Sequence, residues 1–151
     1  MLVTMIALFV FIIGICFGSF GNVLIFRVPK NKTILGRSKC MMCKRVLKWT
    51  ELIPVLSFVM QRGLCRGCEE PLSRQYPIIE LSSGVLFLLT FFELSPVTSG
   101  EILLAIATAL ALWLMLLIAV IDARTSEIPD LLNIPLLILG CGISLIAGRE
   151  F

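Results

Sequence analysis

From Cys40 to Cys68 the chain reads CMMCKRVLKWTELIPVLSFVMQRGLCRGC, two Cys-x-x-Cys pairs with twenty-one residues between Cys43 and Cys65. Four thiolates at this spacing close a tetrahedral zinc shell, each pair on a tight turn and the intervening loop returning one pair to the other. With Cys40, Cys43, Cys65 and Cys68 all bound, no coordination position is left for a water, so such a zinc is structural.

This polar stretch interrupts a chain that is 58% hydrophobic and 15% charged, with a mean hydropathy of +1.03. Those values belong to an integral membrane protein. Histidine is absent, which excludes Ser-His and Cys-His catalysis, zinc peptidase helices and imidazole ligands. Proton transfer must then rest on carboxylates. A net charge of +3 is too small to argue for nucleic acid. Cys16 and Cys141 lie in apolar runs and are expected to be small buried hydrophobes.

Outward from the cysteines, the composition predicts an α-helical protein with four transmembrane helices and a small zinc-ribbon-like insertion. The first span is 1–26, the cysteine module 27–75, and further spans 76–94, 101–121 and 131–148, with a loop at 122–130. A cleaved signal peptide is disfavoured, because no basic residue precedes the first apolar run. Gly14, Gly18 and Gly21 allow a second helix to approach closely, and Asn22 needs a partner inside the bilayer. Pro29 ends the helix. Eleven of the thirteen Lys and Arg residues fall between Arg27 and Arg74, so the module is expected on the cytoplasmic side of the membrane, with the N-terminus outside. There the thiols stay reduced and metal ligation is favoured over disulfides. LIPVLSFVM (52–60) is too short to span, and reads either as the ribbon's own core or as a segment in the headgroup region. No long-period repeat is read.

The carboxylates are few. Glu80, near the start of the second span, reads as a first-turn partner for Arg74 or as a polar contact to substrate or cofactor. IDARTSEIPD, between the third and fourth spans, holds the only two aspartates. Asp122 directly follows twenty uncharged residues and is expected at the interface, alone or paired with Arg124. Asp130 follows Pro129 and is placed to cap the next helix. At the edge of hydrocarbon a carboxylate's charged form is disfavoured, and a second carboxylate strengthens the effect; such a pair shares a proton and activates water for peptide hydrolysis.

Taken in order, GSFGNVLIFRVP, the cysteine quartet, the Trp49 to Phe58 run, RGLCRGC, SRQYPIIELSSG and Asp122 with Ile-Pro-Asp130 resemble the prepilin peptidases, membrane aspartic endopeptidases of type IV pilus, type II secretion and competence systems. The likeness runs from about Gly18 to about Leu139. It implies that Asp122 is the first of two catalytic aspartates, with Asp130 accompanying it, and that the quartet is a cytoplasmic zinc domain. It also implies prepilin or pseudopilin precursors as substrates, cut after a glycine behind a basic leader, and methylation of the new amine with S-adenosylmethionine. No nucleotide-binding Gly-rich turn is present to hold that cofactor.

The family's second aspartate lies in a Gly-x-Gly-Asp motif that this sequence lacks. The chain is therefore expected to be an inactive N-terminal part whose partner is the missing C-terminal half. Glu150-Phe151 matches a common cloning-site junction and is expected to be vector-derived. Two receptors for a basic leader stay open: the acidic residues Glu51, Glu69, Glu70 and Glu80, or membrane lipid holding the basic loop while the leader is read elsewhere. Two other readings also stay open: a non-catalytic membrane-anchored zinc-ribbon adaptor of a pilus or secretion assembly, and a degenerate family member kept as a structural subunit.

Overall fold

The computed structural model describes residues 1–148; the expectation for Glu150 and Phe151 lies outside them. Five α-helices are present among these residues: α1 (Leu2–Arg27), α2 (Leu56–Met60), α3 (Gln75–Leu94), α4 (Ser99–Thr125) and α5 (Asp130–Ala147). All but α2 are long and apolar enough to cross a membrane, since each offers about the twenty residues that a hydrocarbon core of about 30 Å requires. There is no strand among the described residues, only two isolated antiparallel bridges inside the cysteine module.

The bundle is built on the close pairing of α1 with α3. A Cβ added at Gly14 would come within 2.8 Å of the Gly84 Cα, and one added at Gly18 within 2.5 Å of the Glu80 Cα. One step further, the Asn22 side-chain amide donates to the Tyr76 carbonyl at 3.1 Å and to the Gly18 carbonyl at 3.3 Å. The pairs 14/84, 18/80 and 22/76 advance by four residues on each helix, as antiparallel helices in backbone contact must. Asn22 thus finds the partner its burial requires. Gly21 faces α4 instead, where an added Cβ would meet Leu117 at 2.7 Å.

Trp113 of α4 fills the centre, edge-on to Phe17 at 5.3 Å, beside the buried Leu114, Leu117 and Ile121. Helix α5 rests on α4 and leaves most of its length uncovered. Cys16 and Cys141 are exposed on the outer faces of their helices, not buried as expected; in a membrane protein those faces meet acyl chains, so apolar sequence context does not imply a protein interior.

Two boundaries differ from the sequence reading. Helix α4 continues to Thr125, so Asp122 stands in its last turns and the connection to α5 is short, beginning at Ser126 with a left-handed φ of 54°. Asp130 is the first residue of α5, and Pro129 occupies the cap position without a side-chain bond. Asp130 therefore does not cap the helix; the Pro129 carbonyl accepts from Leu132 and Asn133. At the opposite end Thr98 and Glu101 form a reciprocal capping box, the Glu101 carboxylate accepting from the N–H groups of Val97 and Thr98 at 2.8 and 2.9 Å.

Candidate metal centre and the aspartate end

The two Cys-x-x-Cys segments fold into matching knuckles offset by 25 residues. In the first, the Cys40 N–H donates to the Arg45 carbonyl at 2.9 Å and the Lys44 N–H returns to the Cys40 carbonyl at 3.1 Å. In the second, Cys65 N–H to Glu70 and Glu69 N–H to Cys65 repeat the pattern at 2.9 and 2.8 Å. The bridges Lys39–Val46 and Leu64–Pro71 close them, and Lys44 and Glu69 take the same left-handed turn, φ 59° and 57°. This short structural repeat was not read from sequence, because little beyond the cysteines is shared.

The knuckles bring the four sulfurs within 4.8 Å of one another, with Cys40 Sγ and Cys68 Sγ at 3.9 Å. Zinc–sulfur bonds of about 2.3 Å in a tetrahedron put sulfurs roughly 3.8 Å apart, so a small contraction of the quartet fits it to a zinc ion. No disulfide is formed. The N–H groups of Gly67 and Cys68 hold the Cys65 thiol down at about 6. Against the lowering N–H of Glu70, burial and the neighbouring sulfurs push Cys68 up to about 11. A dication in the centre removes that difference by favouring thiolate at every position.

A brace joins the knuckles. Arg45 makes a forked contact with Glu51 at 2.7 and 3.1 Å, and the Lys48 N–H adds a third bond to the same carboxylate at 2.8 Å. Hydrogen bonding from Arg45 holds the Glu51 carboxyl below the usual carboxylate range. The guanidinium lies over Gly67, where an added Cβ would meet Arg45 Nε at 2.7 Å.

A second bond ties the module to the bundle. Glu80 is buried and its Oε2 accepts from the Val55 N–H at 2.6 Å. Val55 sits at φ 61°, ψ −53°, with the Leu56 N–H reaching the Pro54 carbonyl at 2.6 Å; this is the rare, strained γ-turn. Glu80 thus pairs with neither Arg74 nor solvent. Of the four acidic candidates for a basic leader, Glu51 and Glu80 are buried and held in these bonds, whereas Glu69 and Glu70 are exposed.

At the same end of the bundle, Asp122 and Asp130 are exposed, and among the described residues neither carboxylate has an ion-pair or hydrogen-bond partner. Arg124 does not reach Asp122: its guanidinium donates to the Gln75 side chain and lies 4.7 Å over the Phe26 ring. Asp130 lines a cleft of about 540 Å³ with Lys32, Asn31 and Glu127, which Asp122 does not line. Sequence reading passed over Glu127 and the Arg45 brace. The spacing of Asp122, Glu127 and Asp130 in one ten-residue loop was the available signal for Glu127, and nothing in the sequence marked Arg45 among so many cations.

A bundle of four spanning helices carrying a four-thiolate module and exposed aspartates at one end defines a multi-pass membrane protein with a metal-fitted insertion. By its match over residues 12–94 to the profile described as Bacterial Peptidase A24 N-terminal domain, the chain belongs to that family. A prepilin leader peptidase/N-methyltransferase of Myxococcus xanthus is 50% identical over 82 residues, 54% of this chain and 24% of the relative. One from Klebsiella pneumoniae is 36% identical over 142 residues, covering 87% of this chain and 59% of the relative. One from Burkholderia pseudomallei is 32% identical over 163 residues, 91% of this chain and 51% of the relative. Apart from the shorter match to the Myxococcus protein, the chain spans about half the length of these curated relatives. No solved structure matches it.

Proposed function

We propose that this chain is the membrane-embedded front part of a prepilin peptidase, contributing Asp122 as one of two carboxylates that share a proton and activate a water against a peptide bond. What carries the reading is that proteins named for this activity align over 87% and 91% of the chain, while Asp122 stands exposed and free of partners at the module's end of α4. Among the described residues no arginine is paired with it. The second carboxylate comes from sequence beyond this chain, with Asp130 and Glu127 as accessory acids in the neighbouring cleft.

The module's excess of Lys and Arg favours a cytoplasmic position in a bacterial inner membrane. Zinc bound by the quartet supplies shape and no chemistry, because the cysteines fill its shell. For the basic leader of a prepilin or pseudopilin, Glu69 and Glu70 are the acids still free to receive it. A methyl donor such as S-adenosylmethionine is best held by an apolar or aromatic face against its purine together with an acidic or π partner for its sulfonium. The cleft lined by Trp49 carries Arg37, Lys48 and Arg66 and no carboxylate, and the cleft at Asp130 has no aromatic wall. The residues of these clefts do not fit the cofactor, and no methyl-transfer step is assigned to them.

The test is cleavage of a prepilin in membranes, comparing this chain, the longer gene product, and the longer product with Asp122→Asn. Cleavage by the longer product that Asp122→Asn abolishes supports the assignment. Full activity with Asp122→Asn refutes it, and absence of cleavage by the longer product itself leaves the adaptor reading, for which loss of partner binding on Cys65→Ser is the signature.

A further inference from the structure

The α1–α3 ladder fixes heights along the bundle, and it places part of the module unexpectedly deep. Gly18 lies against Glu80, and Asn22 is level with Tyr76. The first charge on α1 is Arg27, nine residues beyond Gly18, so the Glu80 Cα lies about 13 Å inside the level of that charge. A glutamate side chain leans toward the N-terminus of its helix, here the module side. Val55, bonded to that carboxylate at 2.6 Å, is therefore near the level of Asn22. That is still roughly 7 Å inside Arg27 at 1.5 Å per residue.

What surrounds Val55 suits that depth. From Trp49 to Gln61 the only ionisable group is Glu51, which is buried and held by Arg45. Lys48 and Arg62 bracket the stretch, where long cationic side chains can reach lipid phosphates. Its backbone is internally bonded through the γ-turn and α2, as any backbone leaving water must be. Yet α2 presents Leu56 at 52%, Val59 at 64% and Met60 at 64% exposure, and none of them joins the bundle core.

We propose that Leu52–Met60 is a re-entrant wedge, inserted beside α3 into the leaflet that faces the module, with Leu56, Val59 and Met60 among acyl chains and the Glu80–Val55 bond as its pin. The occupant of this apolar face is lipid. A further protein segment over the same face is the competing outcome. The inference rests on the fold and not on the peptidase reading, so its test needs no substrate.

The zinc-loaded chain is reconstituted in phosphatidylethanolamine–phosphatidylglycerol vesicles with a photoreactive benzophenone amino acid at Val59 or Met60, and at Leu35 as a control. Leu35 is also exposed, but lies among Lys32 and Arg37. Irradiation is expected to give adducts of phospholipid mass at Val59 and Met60, several-fold above Leu35. Yields no higher than at Leu35, or adducts to protein alone, overturn the wedge. Retained zinc serves as the criterion of folding. Should the bulky residue displace the metal, Met60→Trp in a Trp49→Phe background is read instead, with the Trp113 signal subtracted. Quenching by acyl-brominated lipid is the expected result, and unquenched emission overturns the proposal.

Discussion

The cysteine module and the aspartate end lie on the same side of the bundle and are built on opposite terms. In and against the module the buried carboxylates are answered: Glu51 by Arg45 and a backbone N–H, Glu80 of α3 by Val55, while each cysteine knuckle is closed by its own pair of backbone bonds. At the aspartate end, Asp122 and Asp130 are left without partners among the described residues. Satisfied polar groups hold a shape, whereas an exposed carboxylate without a partner stays accessible to water and substrate.

The sharpest way to break this contrast is to exchange the two roles. Asp122→Asn in the longer gene product is expected to cost about 10²–10⁴-fold in cleavage rate, with zinc content and chelator resistance unchanged. Cys65→Ser is expected to do the reverse in kind, abolishing stoichiometric zinc, because structural zinc contributes about 10–16 kcal/mol in small domains. Zinc loss with Asp122→Asn would erase the distinction.

A smaller effect tests the ladder on which both regions stand. Gly18→Ala drives a methyl into the Glu80 Cα and the Ile79 carbonyl, backbone atoms that cannot step aside, and is expected to destabilise the bundle by about 1–3 kcal/mol. Gly140→Ala, with nothing within 4 Å, should be near neutral. Thermal unfolding in detergent reads both.

Within the module, Glu51→Gln should speed zinc release to a chelator, consistent with about 1–3 kcal/mol for a buried group left poorly partnered. The Glu51 carboxyl is held low by Arg45, so its contribution is fully present above the unfolded-state value of about 4.3 and is lost as pH falls through the folded one. The difference in release rate between parent and Glu51→Gln should therefore persist at neutral pH and vanish in acid. A difference that grows on acidification would reverse the assigned sign. Smallest of all, Val55→Gly relieves a positive φ on a β-branched residue and should stabilise by about 1 kcal/mol, measured as a rise in melting temperature.

Much of this was legible beforehand, for physical reasons that separate the cases. Long uncharged runs announce spanning helices because lipid tolerates little else, and the spacing of Cys40, Cys43, Cys65 and Cys68 announces a thiolate shell because tight turns require it. The Gly14, Gly18 and Asn22 face was readable as a contact, though its partner, α3, was not. Thr98 and Glu101 carried a capping box in plain view that was passed over. Asp130 was misjudged because the cap depends on a one-residue choice of helix start. The fates of Glu51 and Glu80 were invisible, since both partners are set by tertiary folding: a cation that could have been any of eleven, and a backbone N–H freed by a strained turn.

The register of α1 against α3 has a consequence for how the protein assembles. Helix α1 precedes α3 in the chain, so Asn22 gains the Tyr76 carbonyl only when α3 packs beside it. Closing the intervening loop costs only about 0.6 kcal/mol more for each doubling of its length, so metal capture in the module adds little to bringing the helices together. The backbone fit at Gly14, Gly18 and Gly84 selects the partner, and the module takes its height from the paired helices through the Glu80–Val55 bond.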